Sequence, residues 1–175
     1  MKKHTEMYKH LIFGIIGVLS MALLSCQRES MRITGDYSYK LSGEVAIMDE
    51  DGGVSYHLIH RNGQMNILKD KSHKGKYIVT MNEMNGSGYV VTVALQGDTL
   101  VIEPHDFTTS LITSDGISLI DEDNTATIVY RVNAAGSGRK TDNILIMREH
   151  WQGRQSGNPV VRLYAPEITI IAERN

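Results

Sequence analysis

Beyond residue 33 this chain holds no run of apolar residues at helical spacing. Apolar and polar side chains alternate with period two, and glycine or asparagine punctuates the runs. Tyr37, Tyr39, Leu41, Val45 and Ile47 fall on one face of a long first strand. Ser38, Lys40, Ser42, Glu44, Ala46 and Met48 fall on the other. So regular an alternation requires one face in water and one in a core. Gly43, inside that strand, is read as a bend or bulge where a long strand curls.

The rest of the chain reads as a run of hairpins. Asp49-Glu50-Asp51-Gly52-Gly53 is a turn, and Asn62-Gly63 between two alternating runs predicts a hairpin over residues 54–69. Residues 77–82 and 89–95 predict another, and Gly97-Asp98 fits a type II′ turn into Thr99–Glu103. Pro104 is expected to end that strand. Asp115-Gly116 signals a hairpin between 107–113 and 117–120, and residues 121–124 turn into 125–132. Residues 134–140 and 152–158 read as loops. Runs at 143–150, 160–164 and, after Pro166, 167–172 close the chain.

About ten strands follow from these spacings, joined by turns too short for helical crossovers, so the fold is all-β and an antiparallel meander. A single open sheet would leave two unpaired edges and one bare apolar face. Closure into a barrel removes both, and a two-layer β sandwich is the alternative. No internal repeat or linker divides residues 33–175, which are expected to form one domain.

Composition excludes several function classes. Hydrophobic residues make up 41% and charged residues 22%, which is a globular balance. The formal charge of −2 excludes a strongly basic nucleic-acid binder. One cysteine excludes an intrachain disulfide and a multi-cysteine zinc site.

The first 25 residues read as an address. A polar opening with Lys2, Lys3 and Lys9 precedes the apolar run Leu11–Leu24, and small Ser25 and Cys26 follow. These are the three parts of a secretory signal peptide. The run is short for a membrane span, which needs about 20 residues. Leu23-Leu24-Ser25-Cys26 resembles the lipobox of bacterial lipoproteins. That resemblance implies cleavage between Ser25 and Cys26, lipidation of Cys26 and anchoring by several acyl chains. Cleavage would remove three lysines and Glu6, leaving 15 basic and 19 acidic residues and a net charge of −4. Such a body has no evident attraction to anionic lipid, so the lipid is the expected membrane contact. Residues 26–32 read as a short tether. Gln27 stands where enterobacterial lipoproteins retained at the inner membrane carry Asp, which points to the outer membrane.

With the lipobox and tether, Gly35-Asp36-Tyr37-Ser38-Tyr39-Lys40-Leu41-Ser42-Gly43 opening a meander resembles the small lipocalin-like (calycin-like) lipoproteins of Bacteroidetes. The likeness covers the plan of nearly the whole chain, and its specific part is under ten residues. It implies a lipocalin-like barrel in the cell envelope. The Gly-x-Trp signature of lipocalins is missing, since the sole tryptophan is Trp151.

Candidate sites are few. His57 and His60 lie three apart on a strand and point to opposite faces, which disfavours a shared metal. His105-Asp106 reads as a hydrogen-bonded bend after Pro104. Trp151, opening the 152–158 loop, is a candidate to stack on a sugar or cap the barrel, with a core-plugging role as the plainer alternative. Tyr37 and Tyr39 are the other candidate ligand contacts. Two acidic clusters, 49–51 and 121–124, lack calcium-loop spacing and read as solvated turns. Gly136-Ser137-Gly138-Arg139-Lys140 lacks the phosphate-loop pattern, and no nucleophile elbow or zinc-protease motif is present.

The expectation is therefore a lipid-anchored envelope protein without enzymatic activity, cofactor or metal. It serves as a binding module for a small hydrophobic molecule or amphiphile, or for a glycan. The alternative is an accessory subunit contacting other envelope proteins.

Overall fold

The computed structural model describes residues 32–83, 88–111 and 127–175. Thr34–Asn175 form one compact unit. It contains β1 (Gly35–Met48), β2 (Val54–Lys69), β3 (Lys76–Glu83), β4 (Gly88–Gln96), β5 (Thr99–Ser110), β6 (Val129–Thr141), β7 (Ile144–Gln155) and β8 (Asn158–Arg174). Each strand pairs antiparallel with the next, and β8 pairs back onto β1. The result is a closed eight-stranded meander barrel, not a sandwich. Closure leaves no sheet edge with unpaired backbone groups.

The alternation in the sequence is the alternation of the wall. Tyr37, Tyr39, Leu41 and Val45 of β1 point inward, each at most 2% exposed, while Lys40 and Glu44 face solvent. Ile59, Met65 and Ile67 of β2 and Val91 and Val93 of β4 do the same. Eight strands leave an interior only wide enough for side chains or one small ligand.

The sequence reading splits strands that are continuous, so its count of about ten becomes eight among the described residues. Asn62-Gly63 is not a turn. It lies mid-strand in β2, with Gly63 opposite Tyr39 on β1 and Glu83 on β3. A Cβ on Gly63 would lie 2.7 Å from the Tyr39 ring and 2.2 Å from the Asn82 carbonyl oxygen. The glycine is there for close approach, so that Tyr39 can lie across the neighbouring strand. Residues 134–140 are likewise strand, not loop, because Gly136 packs against the Arg148 carbonyl of β7, where a Cβ would sit 1.9 Å away. Residues 152–155 belong to β7, and only Ser156-Gly157 turns.

Pro104 and Pro166 do not end strands either. Each sits where the pairing register shifts: Ile102 pairs with Gly136, but His105 pairs with Ala134. Glu149 pairs with Ile168, but Trp151 with Ala165. Proline lacks an N–H to donate and so is tolerated at such bulges. Each bulge adds one residue and switches which parity faces inward. On β5 the inward set passes from Leu100 and Ile102 to Phe107 and Thr109. On β8 it passes from Val161, Leu163 and Ala165 to Ile168, Ile170 and Ala172. The irregularity expected at Gly43 is present, as a register shift between Gly43 and Ala46 against β8.

The turn at Gly97-Asp98 is as expected, with Gly97 at φ 60°. The hairpin of β3 and β4 also forms. The Asp115-Gly116 hairpin and the 121–124 turn lie outside the described residues, as do residues 1–31 with Ser25 and Cys26.

Candidate functional site

Most of the barrel interior is aliphatic, but one zone is polar and aromatic. Arg61 occupies an inward position of β2 between Ile59 and Met65, where the alternation calls for an apolar side chain. Its Nη1 donates to Glu83 Oε1 on β3 at 2.6 Å, and its Nη2 donates to the Ser110 carbonyl at the end of β5 at 2.6 Å. The contacts join the middle of β2 to the ends of β3 and β5.

Beside it lies an aromatic cluster. The rings of Tyr89 and Phe107 stack with centroids 4.5 Å apart, and His105 lies nearly parallel to both, at 5.6 and 5.7 Å. Phe107 meets the edge of Trp151 at 5.2 Å. His105 and Phe107 reach the interior because the Pro104 bulge turns them inward. Trp151 Nε1 donates to Glu149 Oε2 at 2.9 Å, and Glu149 Oε1 stands 3.9 Å from His105 Nε2.

The charge state of this zone follows from burial. Glu149 is 3% exposed, and removal from water raises its carboxyl pKa above the ordinary carboxylate range. The Trp151 hydrogen bond and the nearby His105 and His150 only partly oppose that. Burial pushes the Tyr39 phenol up to about 12, reinforced by the Glu83 charge and opposed by Arg61. Tyr89 is also raised, again by burial first and by Glu149 second. Both tyrosines therefore present O–H groups at neutral pH. His105 Nδ1 lies 3.0 Å from the Glu103 carbonyl, an acceptor, so Nδ1 carries a hydrogen.

Among the described residues, four buried polar atoms of this zone find no hydrogen-bond partner: Tyr39 Oη, Tyr89 Oη, His105 Nε2 and Arg61 Nε. Buried donors and acceptors left unmade cost about 1–3 kcal/mol each. The zone thus combines apolar ring faces with buried hydrogen-bonding atoms.

Two of the three expected ligand contacts border this zone. Tyr39 adjoins the Arg61–Glu83 pair, and Trp151 closes the aromatic cluster. Trp151 is fully buried on β7 and not in a rim loop, so no exposed face is left for a sugar. Tyr37 lies apart, with the Arg174 guanidinium 5.4 Å above its ring. Arg61, Glu83 and Tyr89 were missed from the sequence, and His105 was read there as a bend residue. A usable signal existed for Arg61 and Glu149, each a charged residue on the apolar phase of its strand. His57 is half-buried and His60 exposed, on opposite faces as expected. In the 49–53 turn Asp49 accepts the backbone N–H groups of Asp51 and Gly53. Among the described residues no three His, Cys, Asp or Glu side chains group around a possible metal position.

A solved structure of EF1p2_mFAP2b bound to DFHBI is similar to this chain, with 12% identity over 82% of this chain and 94% of that one, at a TM-score of 0.42. No protein-family model and no curated protein matches the sequence.

Proposed function

We propose that this chain is a lipid-anchored protein of the bacterial outer membrane whose barrel binds a small amphiphile. The observation that carries the binding reading is the interior zone around Tyr39, Arg61, Tyr89 and His105. Among the described residues, four buried polar atoms there lack partners beside the Tyr89, Phe107 and Trp151 rings. An apolar guest alone would leave those atoms unmade, and a purely polar one would waste the rings. A molecule with an apolar body and a hydrogen-bonding head satisfies both. The proposal is of binding without chemistry.

The anchoring reading rests on Leu23-Leu24-Ser25-Cys26 following a short apolar run. Binding is tested by native mass spectrometry of the protein extracted gently from its own envelope. A non-covalent adduct of small-molecule mass is expected, and it should disappear in Tyr89→Phe/His105→Leu. A protein carrying no adduct in any preparation contradicts the binding reading. Anchoring is tested separately: labelled palmitate should enter the wild-type protein and not Cys26→Ala.

A further inference from the structure

The outer wall of the barrel carries a feature that the interior does not explain. Arg131 on β6 pairs directly with Arg154 on β7, and Arg154 pairs directly with Arg162 on β8. All three side chains are exposed, and none has an ion pair or hydrogen bond in the described residues. Facing side chains on adjacent strands lie about 5 Å apart, so the three cations span roughly 10 Å. Like charges in that arrangement repel and weaken the sheet. Among the described residues neither nearby carboxylate pairs with an arginine of the stripe. Asp106 accepts from Asn133 at 2.9 Å, and Glu50 accepts from Asn158.

The adjacent outward row has a different chemistry. Along it run Tyr56, Ala46, Tyr164, Gln152 and Asn133, in cross-strand register. The two tyrosines are 67% and 50% exposed. Both rows lie near the barrel end that carries the 49–53 turn, whereas β1 starts at the opposite end.

We propose that this outer face binds an acidic glycan, with Arg131, Arg154 and Arg162 holding its carboxylates. The Tyr56 and Tyr164 rings supply stacking faces, and Gln152 supplies a partner for hydroxyls. Guanidinium forks match planar carboxylates, and neighbouring ring faces and amides match sugar rings and their hydroxyls. A flat lipid surface would use the arginines but not the second row, and it would touch a convex wall along a narrow line. The site lies outside the barrel and stands independently of the interior binding reading.

The test uses the full-length chain held in phosphatidylcholine nanodiscs, with polygalacturonate as probe and dextran and polyphosphate as comparisons. Polygalacturonate is expected to bind, more weakly as salt rises. Its affinity should fall at least tenfold in Arg131→Gln/Arg154→Gln/Arg162→Gln and change less than twofold in Arg148→Gln, on the outer wall away from the stripe. Dextran should not bind, and polyphosphate should bind more weakly per charge. The single variant Arg154→Gln should raise the thermal midpoint, since it relieves two repulsions. Equal polygalacturonate binding by the triple variant would overturn the proposal. So would tighter binding of polyphosphate, or preferential capture by phosphatidylglycerol liposomes, which would assign the stripe to charge alone or to a membrane. A lowered midpoint in Arg154→Gln would make the stripe a packing element, which also overturns it.

Discussion

Arg61 and Glu83 form an ion pair within the barrel, Nη1 to Oε1 at 2.6 Å, with each side chain only 5% exposed. Breaking such a pair from one side strands a buried charge, which costs about 3–5 kcal/mol. Arg61→Met should therefore destabilise the barrel by that order. The double variant Arg61→Met/Glu83→Leu should recover most of the loss, because two apolar groups replace two charges. Urea denaturation of the four proteins checks this as a double-mutant cycle. A double variant no more stable than the single one would show that the Ser110 carbonyl contact, not the charge pair, dominates.

Glu149 sets a pH dependence with a definite sign. Its carboxyl pKa is raised in the folded state, chiefly by burial. The folded state therefore holds the proton more tightly than the unfolded chain does. The resulting stability is fully present below the ordinary carboxylate pKa and is lost as pH rises through the raised folded value. Glu149→Gln keeps an oxygen for Trp151 Nε1 and removes the titration. Relative to this variant, wild type should lose stability as pH rises above the ordinary carboxylate value of 4.5. Denaturation midpoints of both proteins across that range check it, and parallel curves would remove Glu149 from the account.

Gly63 is a steric requirement. Gly63→Ala would press a methyl group against the Asn82 carbonyl and the Tyr39 ring, at 2.2 and 2.7 Å. A destabilisation of about 2–3 kcal/mol is expected, at the upper end for overpacking. Adding Tyr39→Ala should recover only part of it, because the Asn82 clash is with backbone. Thermal denaturation of the single and double variants measures this.

The proline at the β5 bulge adjoins part of the interior zone. Deleting Pro104 would remove the extra residue, so that Glu103 alone stands opposite Ala135 and His105 and Phe107 stay inward in a regular register. Such a deletion should keep both the near-ultraviolet circular dichroism of the Phe107–Trp151 contact and the far-ultraviolet β signal, and loss of the near-ultraviolet signal alone would show that the bulge itself seats the rings.

The all-β meander was legible in the sequence because period-two alternation is a direct image of a wall with one wet face. Tyr37, Tyr39, Leu41 and Val45 stand inward as read. What misled was punctuation. Asn62-Gly63 has the composition of a turn, yet its reason lies on neighbouring strands, in the Tyr39 ring and the Asn82 carbonyl. Pro104 and Pro166 read as stops, yet a proline at a bulge interrupts one hydrogen bond and not the strand. The interior zone was hidden for the same reason. His105 counts as a bend residue until the bulge shifts its parity, and Trp151 counts as a loop residue until Gly153 is seen to continue β7. Arg61 and Glu149 needed no structure: each breaks the apolar phase of its own strand.

The most direct test of the interior site uses Trp151, the sole tryptophan, as donor to N-phenyl-1-naphthylamine, a neutral amphiphilic fluorophore. Saturable energy transfer from Trp151 to bound dye is expected, weakened at least tenfold in Tyr89→Phe/His105→Leu at unchanged far-ultraviolet circular dichroism. Dye fluorescence without saturable transfer from Trp151, or transfer unaffected by the double substitution, would contradict it.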